Sequence, residues 1–477
     1  MRLLCLPLDH RPCNTLFADR LVSFAGGECV FPRPDESPRG REKAPYEGSL
    51  RFLKRELPAC DAAVISLDAW CYGGLLASRE MDTDTDMALS RLRELQSLLL
   101  AHPRVRIYLF SVILRSSVSA LSLKDLKVYH AMTDYSVHSD RYDLLGLEED
   151  RLLAEQARQR IPPEILDRVL RVRRRNLQVH LAALDLLAPL ARSLTLVQED
   201  CQVYGLPRRD QRVIRSHMKE GNRVFLRNGA DECSMVCAME AMGGGSPLPL
   251  QIRYLGAGDF TALYEDRPFR ENLESACEQL NLVPDDQSPV CLFVCCPADG
   301  VQREASDAPD SPVCTEYARQ IRERADAGDR VYVLDVIAAN GGSTGLMRAL
   351  TPAPADGLWG YAAWNTAGNA LGTILAQIRS DHLRGERHER FFRERLLDDY
   401  VYQTHVRPAL GKDLEALGED VYRLRDPGRA EGMLREKMAG MLPDLWPLRF
   451  LPDYRISLPW GRTFEILAEV KDERNES

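Results

Sequence analysis

Carboxylates stand where apolar runs end. Asp9 follows LCLPL, Asp68 follows AAVISL, Glu199 and Asp200 follow LTLVQ, Asp231 and Glu232 follow the run near residues 223–227, and Asp335 closes VYVL. Hydrolysis of a glycosidic bond usually takes two carboxyl groups, one as acid and the other as nucleophile or base. Asp68, Asp200, Asp231, Glu232 and Asp9 are therefore the expected catalytic groups, with Asp68, Asp200 and either Asp231 or Glu232 forming the working pair. The competing reading of each is a helix N-cap or a turn at a strand end. Asp398 and Asp399 fall in a charged helical stretch, where a solvated or ion-paired face is the simpler reading.

Groups suited to holding a polar substrate accompany these acids. Arg11, Arg79 and Arg115 offer planar forks, and Asn14, Asn340, Asn365 and Asn369 offer paired donors and acceptors for hydroxyls. With Tyr72 and Glu199 they make up the expected substrate-binding set. Asn365 and Asn369, four apart on a helix expected after Trp364, would share one face. Trp70, Tyr72, Tyr204, Trp359, Tyr361 and Trp364 could stack on a sugar ring, although half-buried aromatics are more often core. Tyr72-Gly73-Gly74 and Asn340-Gly341-Gly342-Ser343 are turn segments without the spacing of a nucleotide-binding loop. The nine histidines show no metal-ligand spacing, so no metal site is assigned. A Cys13 or Cys71 pair with His10 competes with the plainer reading of buried thiols.

The elements that must position these residues alternate. Strands are expected near 2–8, 27–31, 61–67, 105–114, 193–198, 223–227, 249–255, 290–296, 330–335 and 358–361. Between most of them lie amphipathic helical patterns such as Ser49 to Glu56, Asp86 to Leu100, Pro207 to Glu220 and Thr315 to Ala327. That alternation defines an α/β fold of mostly parallel strands, Rossmann-like or barrel-like, in which the loops leaving the carboxyl ends converge. A long helix from about Pro162 to Leu190 reads as an insertion, and its basic cluster Arg171 to Arg175 as a solvated face. Pro297 to Pro312 reads as a surface loop, and no internal repeat is visible. The expected division is residues 1–245 with a helical insertion near 120–190, a second α/β domain over 246–383, and a mainly helical region over 384–477.

Composition sets the class. Hydrophobic content of 45% and charged content of 28% describe a soluble globular protein, and a net charge of −9 gives no footprint for nucleic acid. No apolar run is long enough for a membrane helix, and the amino terminus reads as a strand rather than a signal peptide. Thirteen cysteines, mostly inside apolar strands as Cys5, Cys291, Cys295 and Cys296 are, fit reduced thiols in a cytoplasmic protein.

Seven segments in order, PLDHRPCN, SLDAWCYGGLLASR, NGADE, DVIAANGG, GYAAWNTAGNALGT, LLDDYVYQ and WGRTFE, carry a resemblance. Together they resemble the uncharacterised bacterial family called domain of unknown function 4127, from residue 7 to about 465. The resemblance implies a shared fold and site but no activity. Glu199-Asp200 stands where the family pattern has two aspartates, and Asn228 where it has a proline-type turn. The reading that follows is a hydrolase acting on a carbohydrate or related polyol through paired carboxylates, without a cofactor and with a small sugar-like molecule as partner. Two rivals are a hydrolase or lyase using Mg²⁺ or Mn²⁺ on the same aspartates, and a two-lobed sugar-binding protein without catalysis.

Overall fold

The computed structural model describes residues 1–37, 42–119, 126–308, 311–351 and 357–471. Residues 120–125, at the start of the expected insertion, and 309–310, in the expected loop, lie outside the described residues. Two compact units divide the chain: Met1–Met242 with Tyr264–Asp266, and Gly243–Leu263 with Arg267–Ser477.

In the first unit, buried apolar runs make six strands: β1 (Arg2–Leu6), β2 (Glu28–Val30), β3 (Ala62–Ser66), β4 (Arg106–Ile113), β5 (Ser193–Gln198) and β6 (Val224–Asn228). They pair in the order β2-β1-β3-β4-β5-β6, every pair parallel. The sheet is thus an open, doubly wound one rather than a barrel. In this order the chain reverses direction across the sheet between β1 and β3, the place where such folds open a crevice at the strands' carboxyl ends. The core beneath it joins Leu4, Ile65, Leu109 and Leu194 of the strands to Phe52, Leu92, Val179 and Leu184 of the helices.

The second unit repeats that order with other residues. It holds β7 (Leu248–Leu255), β8 (Leu282–Pro284), β9 (Val290–Cys295), β10 (Arg303–Glu304), β11 (Arg330–Asp335), β12 (Ala338–Ala339), β13 (Leu358–Ala362), β14 (Tyr454–Ser457) and β15 (Leu467–Val470). Its main sheet runs β13-β11-β9-β7-β8, so the first strand again sits between the second and third. The repeat is one of topology. The helices Glu389–Arg395, Arg407–Ala416 and Pro427–Leu445 and the antiparallel pair β14-β15 share the core of this sheet, with Phe392, Leu410, Leu434 and Ile456 against Phe293 and Val331.

All ten expected strands form. The expected loop Pro297–Pro312 differs in one respect, since Arg303–Glu304 pairs with Ala338–Ala339 as a short parallel ladder. The long helix runs Pro163–Leu186, and its basic cluster is not wholly solvated: Arg173 and Arg175 are buried. Every one of the 13 cysteines is a free thiol, and Cys5, Cys291, Cys295 and Cys296 are fully buried. No described helix is long and apolar enough to cross a membrane.

The turn after the helix Leu67–Tyr72 shows how backbone constraint shapes the strand ends. Ser66 caps that helix by accepting from Ala69 N, and Gly73 ends it at a φ of 96°, a left-handed conformation that side chains resist. A Cβ on Gly73 would stand 2.6 Å from Ala44 O. Gly73→Ala should therefore destabilise the first unit by roughly 1–3 kcal/mol through backbone strain and this clash. Urea unfolding is the check, and an unchanged midpoint would refute the account.

Candidate active site

The loops leaving β1 and β6 meet through one side chain. Arg11 donates Nε to both oxygens of Asp9 at 3.0 and 3.1 Å, and Nη1 to Asp231 Oδ2 at 2.9 Å. Its Nη2 lies 2.8 Å from Asp9 Oδ2 and 2.5 Å from Asp231 Oδ1, so the two carboxylates are no farther apart than those two bonds laid end to end. Asp9 also accepts from its neighbours Arg11 N at 3.0 Å and Asn14 Nδ2 at 2.9 Å. All four residues are buried.

That geometry drives the two acids apart in pKa. Burial alone would raise Asp9, but the charge and hydrogen bonds of Arg11, with Asn14, carry it below the ordinary value. For Asp231 burial wins over Arg11, helped by the nearby charges of Asp9 and Glu199, and the carboxyl is pushed up to about 6.

Asp68, on the first turn after β3, faces the neighbouring strand. Its Oδ2 accepts from Val112 N at 2.8 Å and Ser111 Oγ at 3.0 Å, while Oδ1 is buried without a hydrogen-bond partner. Burial is the main reason its pKa rises to about 6, and the charge of Glu199 adds to it. Ser111 Oγ lies 3.1 Å from His180 Nε2, whose pKa burial lowers to about 4, so the imidazole is neutral near pH 7. An ionised Asp68 accepts the Ser111 O–H, so the neutral His180 donates its Nε2–H to Ser111 Oγ. A protonated Asp68 Oδ2 donates to Ser111, which then donates to His180, so the proton on Asp68 and the tautomer of His180 are linked.

A second tier of ion pairs forms the more exposed edge. Arg79 pairs with Glu199 and Arg115 with Asp200, each side chain 11–22% exposed. Glu199 feels Arg79, Arg115 and Arg11 together, and against its burial they lower its pKa. Arg115 is lowered, by burial and then by the adjacent Arg79. Asp200 sits at a φ of 37°, and its carbonyl accepts from Ser116 N. The loop bearing Arg79 is fixed by the long helix: Arg175 donates to the carbonyls of Ser78, Glu80 and Thr83, and Asn176 Nδ2 to Ser78 O. Arg173 pairs with Asp210 and donates to Arg115 O. These two arginines replace the solvated face expected there with supports for two site loops.

Other expected residues lie differently. Glu232 pairs with buried Arg227 and accepts from Ala230 N at 2.8 Å, closing the turn after β6. Tyr72 is buried under the Arg175 guanidinium, 4.2 Å above its ring, and Trp70 is fully buried, donating to Arg91 O. Tyr361 and Trp364 are buried in the second unit, while Trp359 and Tyr204 are partly exposed.

Asn340, Asn365 and Asn369 belong to the second unit. Asn365 precedes the helix Ala367–Arg384 at a φ of 65°, so it does not share a helical face with Asn369; the turn residue Asn340, at 60°, donates its backbone N–H to Asn365 O and its side-chain amide to Glu304. Asp335 accepts from Ser343 N, Ile337 N and Tyr361, and burial lifts it to about 6. Asp398 and Asp399 are not solvated. They are buried against Arg395 in the π-helical stretch Leu396–Val406, where Asp399 accepts from Ala363 N and Trp364 N.

Ser111 and His180 escaped the sequence reading. Their one signal was polarity inside apolar patterns, a serine within RIYLFSVIL and a histidine on the buried side of the long helix. Among the described residues, no three His, Cys, Asp or Glu side chains are grouped as a metal ion would require.

A doubly wound parallel sheet whose carboxyl ends gather buried aspartates around an arginine defines an α/β protein with a carboxylate centre at its strand ends. The chain belongs to the family described as protein of unknown function DUF4127, whose model matches residues 3–469. No curated protein and no solved structure matches it.

The Asp68 shift has a sign in stability. Its folded pKa of about 6 exceeds the unfolded ~3.9, so protonation favours the fold below about pH 4, and that advantage is lost as pH rises through about 6. Asp68→Asn keeps both acceptor contacts on an amide oxygen and removes the buried charge. Its effect on stability should be more favourable at pH 7.5 than at pH 4 by on the order of 2 kcal/mol, whatever constant cost the unpaired Nδ2 adds at both. Melting curves at the two pH values test this, and equal shifts at both would contradict it.

Proposed function

We propose that the first unit hydrolyses a glycosidic bond in a carbohydrate or related polyol, with Asp231 as the proton donor and Asp9 as the ionised partner. The observation that carries this reading is the shared nitrogen: Arg11 Nη2 bonds both carboxylates while their surroundings push one pKa down and the other up to about 6. Paired carboxyls with divergent pKa values divide acid from nucleophile or base, and a separation of at most the two bonds to Arg11 Nη2 is nearer the ~5–5.5 Å of enzymes that retain configuration than the ~6.5–9.5 Å of those that invert it. Arg11 holds Asp9 in place and favours its charge, as a nucleophile at an electron-poor carbon requires. Asp68 contributes its unpartnered oxygen as an acceptor for a substrate hydroxyl. Arg79, Glu199, Arg115 and Asp200, on the more exposed edge, meet the rest of the substrate.

The roles separate by substitution. Against a panel of aryl glycosides, Asp231→Asn should lower kcat by on the order of 10²–10⁴ for poor leaving groups and far less for dinitrophenyl ones, which need no proton. Asp9→Ala should be inactive and recover with azide, releasing a glycosyl azide. Activity should fall as pH rises through about 6, where Asp231 loses its proton. Wild-type turnover in both variants would defeat the assignment.

A further inference from the structure

The loop that carries Asp9 and Arg11 has a second side. A cavity of about 680 Å³ opens where β1, β2 and β3 end, within the first unit. Leu8 and His10 line it, so four consecutive residues alternate between this cavity and the carboxylate centre. The remaining wall is largely apolar, including Leu6, Leu16, Phe31 and Ala69.

The fold builds that wall deliberately. Gly48 lets the helix Tyr46–Glu56 approach the turn before it, since a Cβ there would stand 2.8 Å from Glu36 Cα. Glu36, a wall residue, is occupied: Arg55 clasps both its oxygens, Arg33 N donates to it at 3.0 Å, and the Arg55 bonds hold its pKa at about 2. Ala44 N donates to Gly73 O at 2.8 Å and closes another side. Ser49 breaks the pattern, because it lines the cavity with a buried hydroxyl that has no hydrogen-bond partner. A buried hydroxyl left unpaired is costly, so an unfilled acceptor or donor position faces this space.

The charges choose among ligands. Asp19 and Glu36 are acidic, and among the described lining residues there is no lysine or arginine, so an anion is disfavoured. The volume lies within the ~300–1,000 Å³ of small-molecule sites. We propose that this cavity binds a neutral, mostly apolar ring system bearing one hydrogen-bonding atom, which meets Ser49. Resting on the hydrolytic reading above, its occupant is the aglycone of the glycoside cleaved beside it, and the substrate class is a hydrophobic glycoside.

Titration of the full-length protein with the neutral fluorophore N-phenyl-1-naphthylamine tests the cavity without any turnover. Saturable binding of one probe per chain is expected. Leu16→Asp, which places a charge in the wall at a helix start that tolerates it, should weaken binding at least tenfold at an unchanged melting temperature, whereas Asp231→Asn should leave it within twofold. Leu16→Trp, which fills the space, gives the same readout if the charged variant does not fold. Ser49→Ala should weaken displacement by 1-naphthol about two- to tenfold and leave 1-methylnaphthalene unchanged. Non-saturable binding, or equal binding by wild type and the Leu16 variants, overturns the cavity. Turnover of 1-naphthyl glycosides then tests the occupant. Probe binding without turnover of any of them overturns the aglycone assignment together with hydrolysis, and turnover without probe binding overturns the cavity alone.

Discussion

Charges can be buried at the end of a parallel sheet only if they neutralise one another, and for Asp9 and Asp231 that condition rests on the Arg11 guanidinium. A desolvated carboxylate costs several kcal/mol unless paired and hydrogen-bonded. Arg11 serves two of them at once, yet one positive charge cannot compensate two negative ones. The imbalance is resolved by protonation: Asp9, with five donated bonds, keeps its charge, and Asp231 is lifted to about 6. Asp68, which has no basic partner, is lifted to the same value. Proton donors are in this sense a by-product of a surplus of buried acid over base.

The second unit makes the contrast plain. It has the same strand order and places an aspartate at the end of β11, but spends its acids on backbone. Asp335 gathers Ile337 N and Ser343 N, and Asp399 gathers Ala363 N and Trp364 N, so each ties loops together. In Asp68, by comparison, one oxygen has a backbone donor and the other has none. A buried aspartate does structural or chemical work according to whether its lone pairs are filled.

Strand positions and strand-end acids were legible because both are local signals: apolar runs of five to eight residues and the polar residue that stops them. Partners were not. Nothing near Asp9 in the sequence announces Asp231, and Arg175 looked like part of a basic surface until loop carbonyls were seen around it. Asn365 and Asn369 had helical spacing, but the left-handed turn at Asn365 delays the helix by two residues. Ser111 and His180 were invisible because burial of a polar side chain among apolar ones is a property of packing, not of pattern.

The bond between Arg11 and Asp231 joins residues 220 positions apart. Contacts of that span are late ones, since the chain between them must be ordered first. At ~5–20 residues per second of synthesis, Asp231 emerges roughly ten to forty seconds after Arg11. During that interval the guanidinium holds Asp9 alone, and the sheet lacks its sixth strand and the helix Cys233–Gly243 that follows. The centre is therefore absent from every shorter nascent chain, although the first unit itself is complete only when Tyr264–Asp266 has followed.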